Sequence, residues 1–152
     1  NILLGTAGAL KLIEKYIKSE NFFVVNGDTY CETNIENFFD FHVEKKSIAT
    51  VLVSIHNNDY REDVGFVEVD ERTCKVLNFK EKQKTDKKFI NAGMYIFNRK
   101  IFDLIPEYKN CSLEYDILPN LKYLYAYVTN ESVIDIGTVN RYCEAKKFFQ
   151  WR

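Results

Sequence analysis

Residues 21–31, NFFVVNGDTYC, open with an apolar run and break at once into Asn26, Gly27, Asp28 and Thr29. The run predicts a buried strand over Phe22–Val25. A carboxylate placed where such a strand surfaces stands where ligands bind in open α/β sheets. Gly27 would let the backbone turn sharply and approach a ligand, and Asp28 offers hard oxygen atoms suited to Mg2+ beside a phosphate. The alternative is an Asp that caps the following turn through Thr29, and these four residues leave both readings open.

Outward from this stretch, the apolar period alternates between helix and strand. A helix is expected from about Ala7 to Lys18, burying Leu10, Ile13 and Ile17. After the strand, Ile35, Phe38, Phe39 and Val43 share one face of a second helix, and SIATVLVSI at 47–55 reads as a strand covered on both faces. Period-two patterning around a polar turn makes 65–82 a hairpin on the sheet edge, and FINAGMYIFN at 89–98 is another strand. Asn98 is placed to cap a short helix ending near Pro106, and Ser112 to cap one carrying Leu113, Ile117, Leu118 and Leu121. Strands follow at 123–128 and 132–137, and Thr138 caps a last helix. This alternation predicts a mostly parallel α/β sheet with ligands at the carboxyl ends of its strands.

The far end of the chain repeats the opening design. In VIDIGT, residues 133–138, a short apolar strand delivers Asp135 just before Gly137, and Thr138 starts a helix. Two strand-end carboxylates, Asp28 and Asp135, could share one cation.

Bulk properties narrow the remaining classes. With 152 residues, 46% of them hydrophobic and 15% aromatic, the chain fits one globular domain with an ordinary core. Its 21 basic and 22 acidic side chains are mixed, so no basic tract suggests a nucleic acid or an anionic membrane, and the partner is expected to be small. No apolar run reaches the roughly 18 residues of a membrane span, and no signal peptide is recognisable, so a cytoplasmic home is expected. Cysteines 31, 74, 111 and 143 are widely spaced without a CxxC pair, which fits reduced thiols rather than a disulfide framework or a zinc site. Neither His42 nor His56 stands in a nucleophile motif, and no GxGxxG marks a Rossmann cofactor site.

Five motifs, in order, resemble the sugar nucleotidyltransferases, which join a sugar 1-phosphate to a nucleoside triphosphate. They are LGTAGAL at 4–10, VVNGDTY at 24–30, FKEKQ at 79–83, INAGMYIF at 90–97, and SLEYDILP at 112–119 with VIDIGTVNRYCEA at 133–145 behind it. The wording is closest to guanylyltransferases acting on D-glycero-α-D-manno-heptose 1-phosphate or mannose 1-phosphate. The resemblance implies a Rossmann-like three-layer α/β/α nucleotide-diphospho-sugar transferase fold with a mixed, mostly parallel sheet. It implies a function in nucleotide-sugar supply for cell-surface polysaccharide, with glucose-1-phosphate thymidylyltransferase as a related alternative.

Carried over by position, the resemblance makes Asp28 and Asp135 the ligands of Mg2+ and, with Lys82, the catalytic set. Leu4, Gly5, Thr6, Gly8, Asn26 and Gly27 would line the nucleotide, with GTP favoured. Gly65, Glu81, Asn91, Gly93 and Glu114 would line the sugar 1-phosphate. The reaction implied is in-line attack by the sugar phosphate on the α-phosphorus, which needs positioning and positive charge rather than a protein nucleophile. By composition alone, Lys82 and Glu81 read more readily as a solvated strand end, while Glu114 reads equally as a first-turn acid favouring the helix dipole.

Two departures stand out. The family begins with a strand and a glycine-rich loop bearing an Arg and a Lys that wrap the triphosphate, and neither has a counterpart here. Residues 1–152 are therefore expected to correspond to the latter two thirds of the family's catalytic domain. Either the native chain is longer, or it is a short relative that keeps a non-catalytic sugar-phosphate pocket. Lost strand pairing would favour homo-oligomers. Gln83 also replaces the proline usual after Glu-Lys, which loosens the turn but removes neither charge.

Overall fold

The computed structural model describes residues 3–55, 65–81 and 89–150. Helix α1 (Gly5–Leu12) has no side-chain cap. Its first amide groups are satisfied across the chain instead, the N–H groups of Ala7 and Gly8 donating to the Cys111 carbonyl at 2.9 and 3.2 Å while Cys111 N–H donates to Leu4 O at 2.8 Å. The helix stops short of the expected Lys18. Ile13 N–H turns back to Leu10 O, tightening the last turn, and Arg99 takes hold of the Ile17 and Glu20 carbonyls, which draws the chain out toward the next strand. Leu10 is buried as expected and Ile17 packs on the core, but Ile13 stays 45% exposed.

Strands β1 (Asn21–Val25) and β2 (Thr29–Cys31) flank the Asn26–Asp28 turn. Helix α2 (Ile35–Glu44) begins at Asn34, whose side chain accepts from Asn37 N–H at 2.9 Å. Its buried face is Phe38, Phe39 and His42 rather than the expected stripe, for Ile35 and Val43 remain 45% and 48% exposed. A histidine sits inside because two neighbours satisfy it. Asn21 Oδ1 accepts from His42 Nε2 at 3.2 Å, which leaves Nδ1 to accept from the Thr50 hydroxyl at 2.8 Å.

Next come β3 (Ala49–Ile55), the hairpin β4 (Gly65–Asp70) and β5 (Lys75–Glu81), β6 (Phe89–Asn98), β7 (Leu124–Thr129), β8 (Val133–Asp135) and helix α3 (Val139–Gln150). Among the described residues six strands form one sheet in the order β1-β6-β3-β7-β5-β4. Strands β1, β3, β4 and β7 run one way and β5 and β6 the other, so the sheet is mixed as expected. The expected predominance of parallel pairing is not found among the described residues: only β3 and β7 pair in parallel, because antiparallel β6 is inserted between β1 and β3 and antiparallel β5 beside β7. The expected strand at 132–137 does not join this sheet. It pairs with β2 in a separate antiparallel ribbon, Thr29 opposite Asp135.

Strand β3 is buried on both faces. On one face Val51, Val53, Tyr95 and Phe97 pack against α1 and the short turns carrying Ile101, Phe102, Leu113 and Leu118. On the other, Leu52, Ile90 and Ile96 meet Phe38 of α2 and Val133. That is a three-layer α/β/α arrangement. The short helices at 99–104 and 113–117 start at Asn98 and Ser112, whose side chains accept the backbone N–H groups expected of caps.

Burial lowers the pKa of His42 from 6.5 to about 4. The group is neutral when folded and charges more readily when unfolded. Its contribution is therefore complete above pH 6.5 and is lost as the pH falls toward 4. Urea unfolding should show about 2 kcal/mol less stability at pH 4.5 than at pH 7, a slope that His42→Gln flattens. A wild-type stability unchanged across that interval refutes this account.

Candidate active site

The turn after β1 and the end of β8 bring the two strand-end carboxylates together. The β2–β8 ribbon sets Thr29 opposite Asp135, and Ile136 N–H donates to Asp28 O at 2.8 Å. Gly137 marks the shared point: a Cβ built there would lie 3.1 Å from Asp135 Oδ1 and 3.3 Å from Asp28 Oδ2. Thr29 Oγ1 donates to Asp28 Oδ1 at 3.2 Å, while Asp28 Oδ2 faces that point. Asp135 accepts from Gly137 N–H at 2.6 Å on Oδ1 and from Arg141 Nη1 at 2.8 Å on Oδ2. Among the described residues no cluster of three or more His, Cys, Asp or Glu could hold a metal ion, so within that set this carboxylate pair is incomplete as a cation site and needs further ligands.

Gly27 lies in the turn after β1 without needing a glycine conformation. Its φ is not positive, and a Cβ there would meet nothing within 4 Å. The tight geometry belongs to Gly93 instead, at φ 68°, whose Cβ would come within 3.0 Å of the Asn26 side chain. The Gly93 carbonyl accepts Asn26 N–H at 2.8 Å, which ties the end of β1 to the irregular step in β6.

From Gly93 a chain of hydrogen bonds runs to α1. Asn91 Oδ1 accepts Gly93 N–H at 3.0 Å, and Asn91 Nδ2 donates to Tyr95 Oη at 2.7 Å. The Tyr95 hydroxyl donates to Glu114 Oε1 at 3.4 Å. Glu114 Oε2 accepts from Thr6 Oγ1 at 2.9 Å and Ser112 Oγ at 3.0 Å, and Thr6 Oγ1 in turn accepts Leu113 N–H at 2.8 Å. Asn91, Gly93, Glu114 and Thr6 are thus brought into one network, with Leu4, Gly5 and Gly8 fixed beside it on the Cys111 backbone. Glu114 is held by hydroxyl groups from three elements, more than a helix-dipole role requires.

On the hairpin, Gly65 is buried and pairs with Glu81, while Phe66 pairs with Ile90, so Gly65 stands next to Asn91 at the end of the β4–β6 ladder. Lys82 and the side chain of Glu81 lie outside the described residues. All four cysteines are free thiols. Burial raises the Cys31 thiol to about 11 and also raises Cys111, which makes neither a nucleophile at neutral pH.

Two site residues escape a reading of the sequence. Tyr95 sits within an apolar strand, and its signal is the hydroxyl, which a fully buried tyrosine must place on a partner. Arg141 stands in the first turn of α3, where a cation is disfavoured by the helix dipole. That misplacement is itself the signal of a nearby carboxylate.

The Nucleotidyl transferase family profile matches residues 2–151. Over 150 residues the chain is 31% identical to D-glycero-alpha-D-manno-heptose 1-phosphate guanylyltransferase of Aneurinibacillus thermoaerophilus, covering 97% of this chain and 64% of that protein. It is 36% identical over 144 residues to mannose-1-phosphate guanyltransferase of Saccharomyces cerevisiae, covering 88% of this chain and 38% of that one. The crystal structure of HddC from Yersinia pseudotuberculosis superposes with a TM-score of 0.84 at 34% identity, over 98% of this chain and 64% of HddC. HddC has also been solved complexed with GMP-PN. The chain thus spans less than two thirds of the length of these relatives. With the profile running nearly end to end and the α/β nucleotide-diphospho-sugar transferase fold of these neighbours reproduced around Asp28 and Asp135, the chain belongs to the Nucleotidyl transferase family.

Proposed function

We propose that residues 1–152 form a nucleotidyltransferase domain of a cytoplasmic enzyme that transfers GMP from GTP to a sugar 1-phosphate. The favoured substrate is D-glycero-α-D-manno-heptose 1-phosphate, and the products are a GDP-sugar and pyrophosphate for cell-surface polysaccharide. The convergence of Asp28 and Asp135 on the space beside Gly137 carries this reading. Guanylyltransferase relatives and the GMP-PN complex of HddC support the choice of base. Among the described residues no helix is long and apolar enough to cross a membrane.

Two carboxylates facing one point are a hard donor set that fits Mg2+, which when bound would offset charge gathering on the α-phosphate. The protein residues do the rest by placement. Leu4, Gly5, Thr6 and Gly8, fixed on the Cys111 backbone, and Asn26 with Gly27 border the nucleotide. Gly65, Glu81, Asn91, Gly93 and Glu114 border the sugar, and the Tyr95 hydroxyl sets the relative orientation of Asn91 and Glu114. Lys82 supplies a point charge to the sugar phosphate. A phosphate oxygen of the sugar attacks the α-phosphorus. As that bond forms, the bond to the β-phosphate breaks and pyrophosphate leaves with the electron pair, so no protein nucleophile is required.

In the whole native protein, GTP and a heptose or mannose 1-phosphate should release pyrophosphate and yield the nucleotide sugar. If no pairing of sugar phosphate and triphosphate does so, a non-catalytic binding module replaces this reading. Lys82→Ala should weaken sugar-phosphate binding by roughly ten- to a hundredfold, the worth of a charge-assisted contact, as read by calorimetry. An unchanged affinity removes Lys82 from the site.

A further inference from the structure

We propose that Arg141 is the resident counter-ion of the Asp28–Asp135 pair and is displaced when a divalent cation binds, so that its charge holds metal affinity down. This rests on the reading that the two carboxylates form a cation site. Asp135 is clasped on both oxygens, by Gly137 N–H at 2.6 Å and by Arg141 Nη1 at 2.8 Å, while Asp28 Oδ2 faces the same point beside Gly137. Two carboxylates turned toward one point repel each other, and the guanidinium offsets that repulsion. The two paired side chains are only 20% and 25% exposed, so the contact is shielded from bulk water.

The position of Arg141 has no rationale in its helix, where the first turn favours anions. Asp135 accounts for it. A dication at the shared point would lie a few ångströms from that guanidinium, and the like-sign repulsion opposes binding. An alternative acid is at hand for the displaced side chain. Glu144, one turn along α3, lines the same cleft of about 390 Å³ as Arg141 and Asp135. The consequence has an unusual sign. Removing a residue in direct contact with a metal ligand should tighten metal binding, whereas loss of a residue that merely orients Asp135 would loosen it.

Mn2+ binding to the whole native protein, without nucleotide, separates these cases by calorimetry or by the free-ion magnetic resonance signal. Arg141→Gln should bind Mn2+ roughly three- to tenfold more tightly than wild type, the range expected for a single partly screened charge near a dication. Arg141→Lys, which keeps the charge, should stay near wild type. Arg141→Met, which keeps the apolar stem, gives the same reading if the Gln variant fails to fold. Equal or weaker binding in the charge-removing variants overturns the proposal, as does tightening in Arg141→Lys of the same size. The Asp28→Asn, Asp135→Asn double variant tests the underlying site: if it binds Mn2+ like wild type, the carboxylate site itself is wrong. If metal binding depends on the aspartates but not on Arg141, the counter-ion role alone fails.

Discussion

Asp28→Asn and Asp135→Asn should each slow nucleotide-sugar formation by about a thousandfold, roughly 4 kcal/mol of transition-state stabilisation. Asparagine keeps the size of the side chain and one oxygen, so the β2–β8 ribbon and the Ile136-to-Asp28 backbone bond should survive. What goes is one of the two negative charges facing the space beside Gly137. Since the two carboxylates act on one point, the double variant should be little worse than the more damaging single one. Steady-state pyrophosphate release at saturating GTP is the measurement, with the sugar-phosphate KM followed alongside. The charge should be needed mainly for the chemical step, so kcat should fall far more than KM rises. A loss below tenfold in either single variant would mean that the pair does not stand at the reacting phosphate.

Gly5→Ala should destabilise the fold by about 3–5 kcal/mol. A non-glycine residue at φ +69° costs on the order of 1–2 kcal/mol by itself. The new Cβ would also lie 2.4 Å from the Cys111 carbonyl oxygen and 2.9 Å from its carbon, both backbone atoms that cannot swing aside. Relief requires residues 110–112 to withdraw, and that breaks the acceptor for Ala7 and Gly8 N–H at the start of α1. Such a loss is a large part of the stability of an ordinary domain. Gly27→Ala is the matched control, because its Cβ meets nothing within 4 Å and its φ is not positive. Urea unfolding of the two variants should separate them by at least 2 kcal/mol; near-equal midpoints with unchanged slopes would show that the α1 entry is more pliable than its geometry implies.

The elements were legible in the sequence wherever a single segment carried its own signal. Phe22–Val25 and 47–55 are apolar enough to be strands, though the first, expected to be buried, lies at the edge of the described sheet with Phe23 and Val25 exposed, and Asn98, Ser112 and Thr138 announce helix starts because their side chains bond amides two or three residues on. Pairing was not legible, since it is settled by residues far away. Nothing within VID says that β8 leaves the main sheet for a ribbon with β2, or that β6 enters between β1 and β3. The stretch after α1 is likewise held by Arg99, more than eighty positions downstream, through the Ile17 carbonyl. At the site, charged residues at strand ends could be named from motif order, whereas Tyr95 and Arg141 could not. Their importance lies in what their polar ends touch, Asn91 and Glu114 for one and Asp135 for the other.

The β2–β8 ribbon also determines which changes of length the molecule can survive. Its three paired positions fix the face on which Asp135 emerges, and strand side chains alternate faces at every residue. One residue inserted between Val133 and Asp135 leaves every chemical group of the site in the chain, yet turns the carboxylate away from Asp28. The same holds for the interval from Asp28 to Cys31 on the other arm. Descent must therefore preserve two intervals as strictly as two aspartates, and the loops on either side of the ribbon are where length can drift.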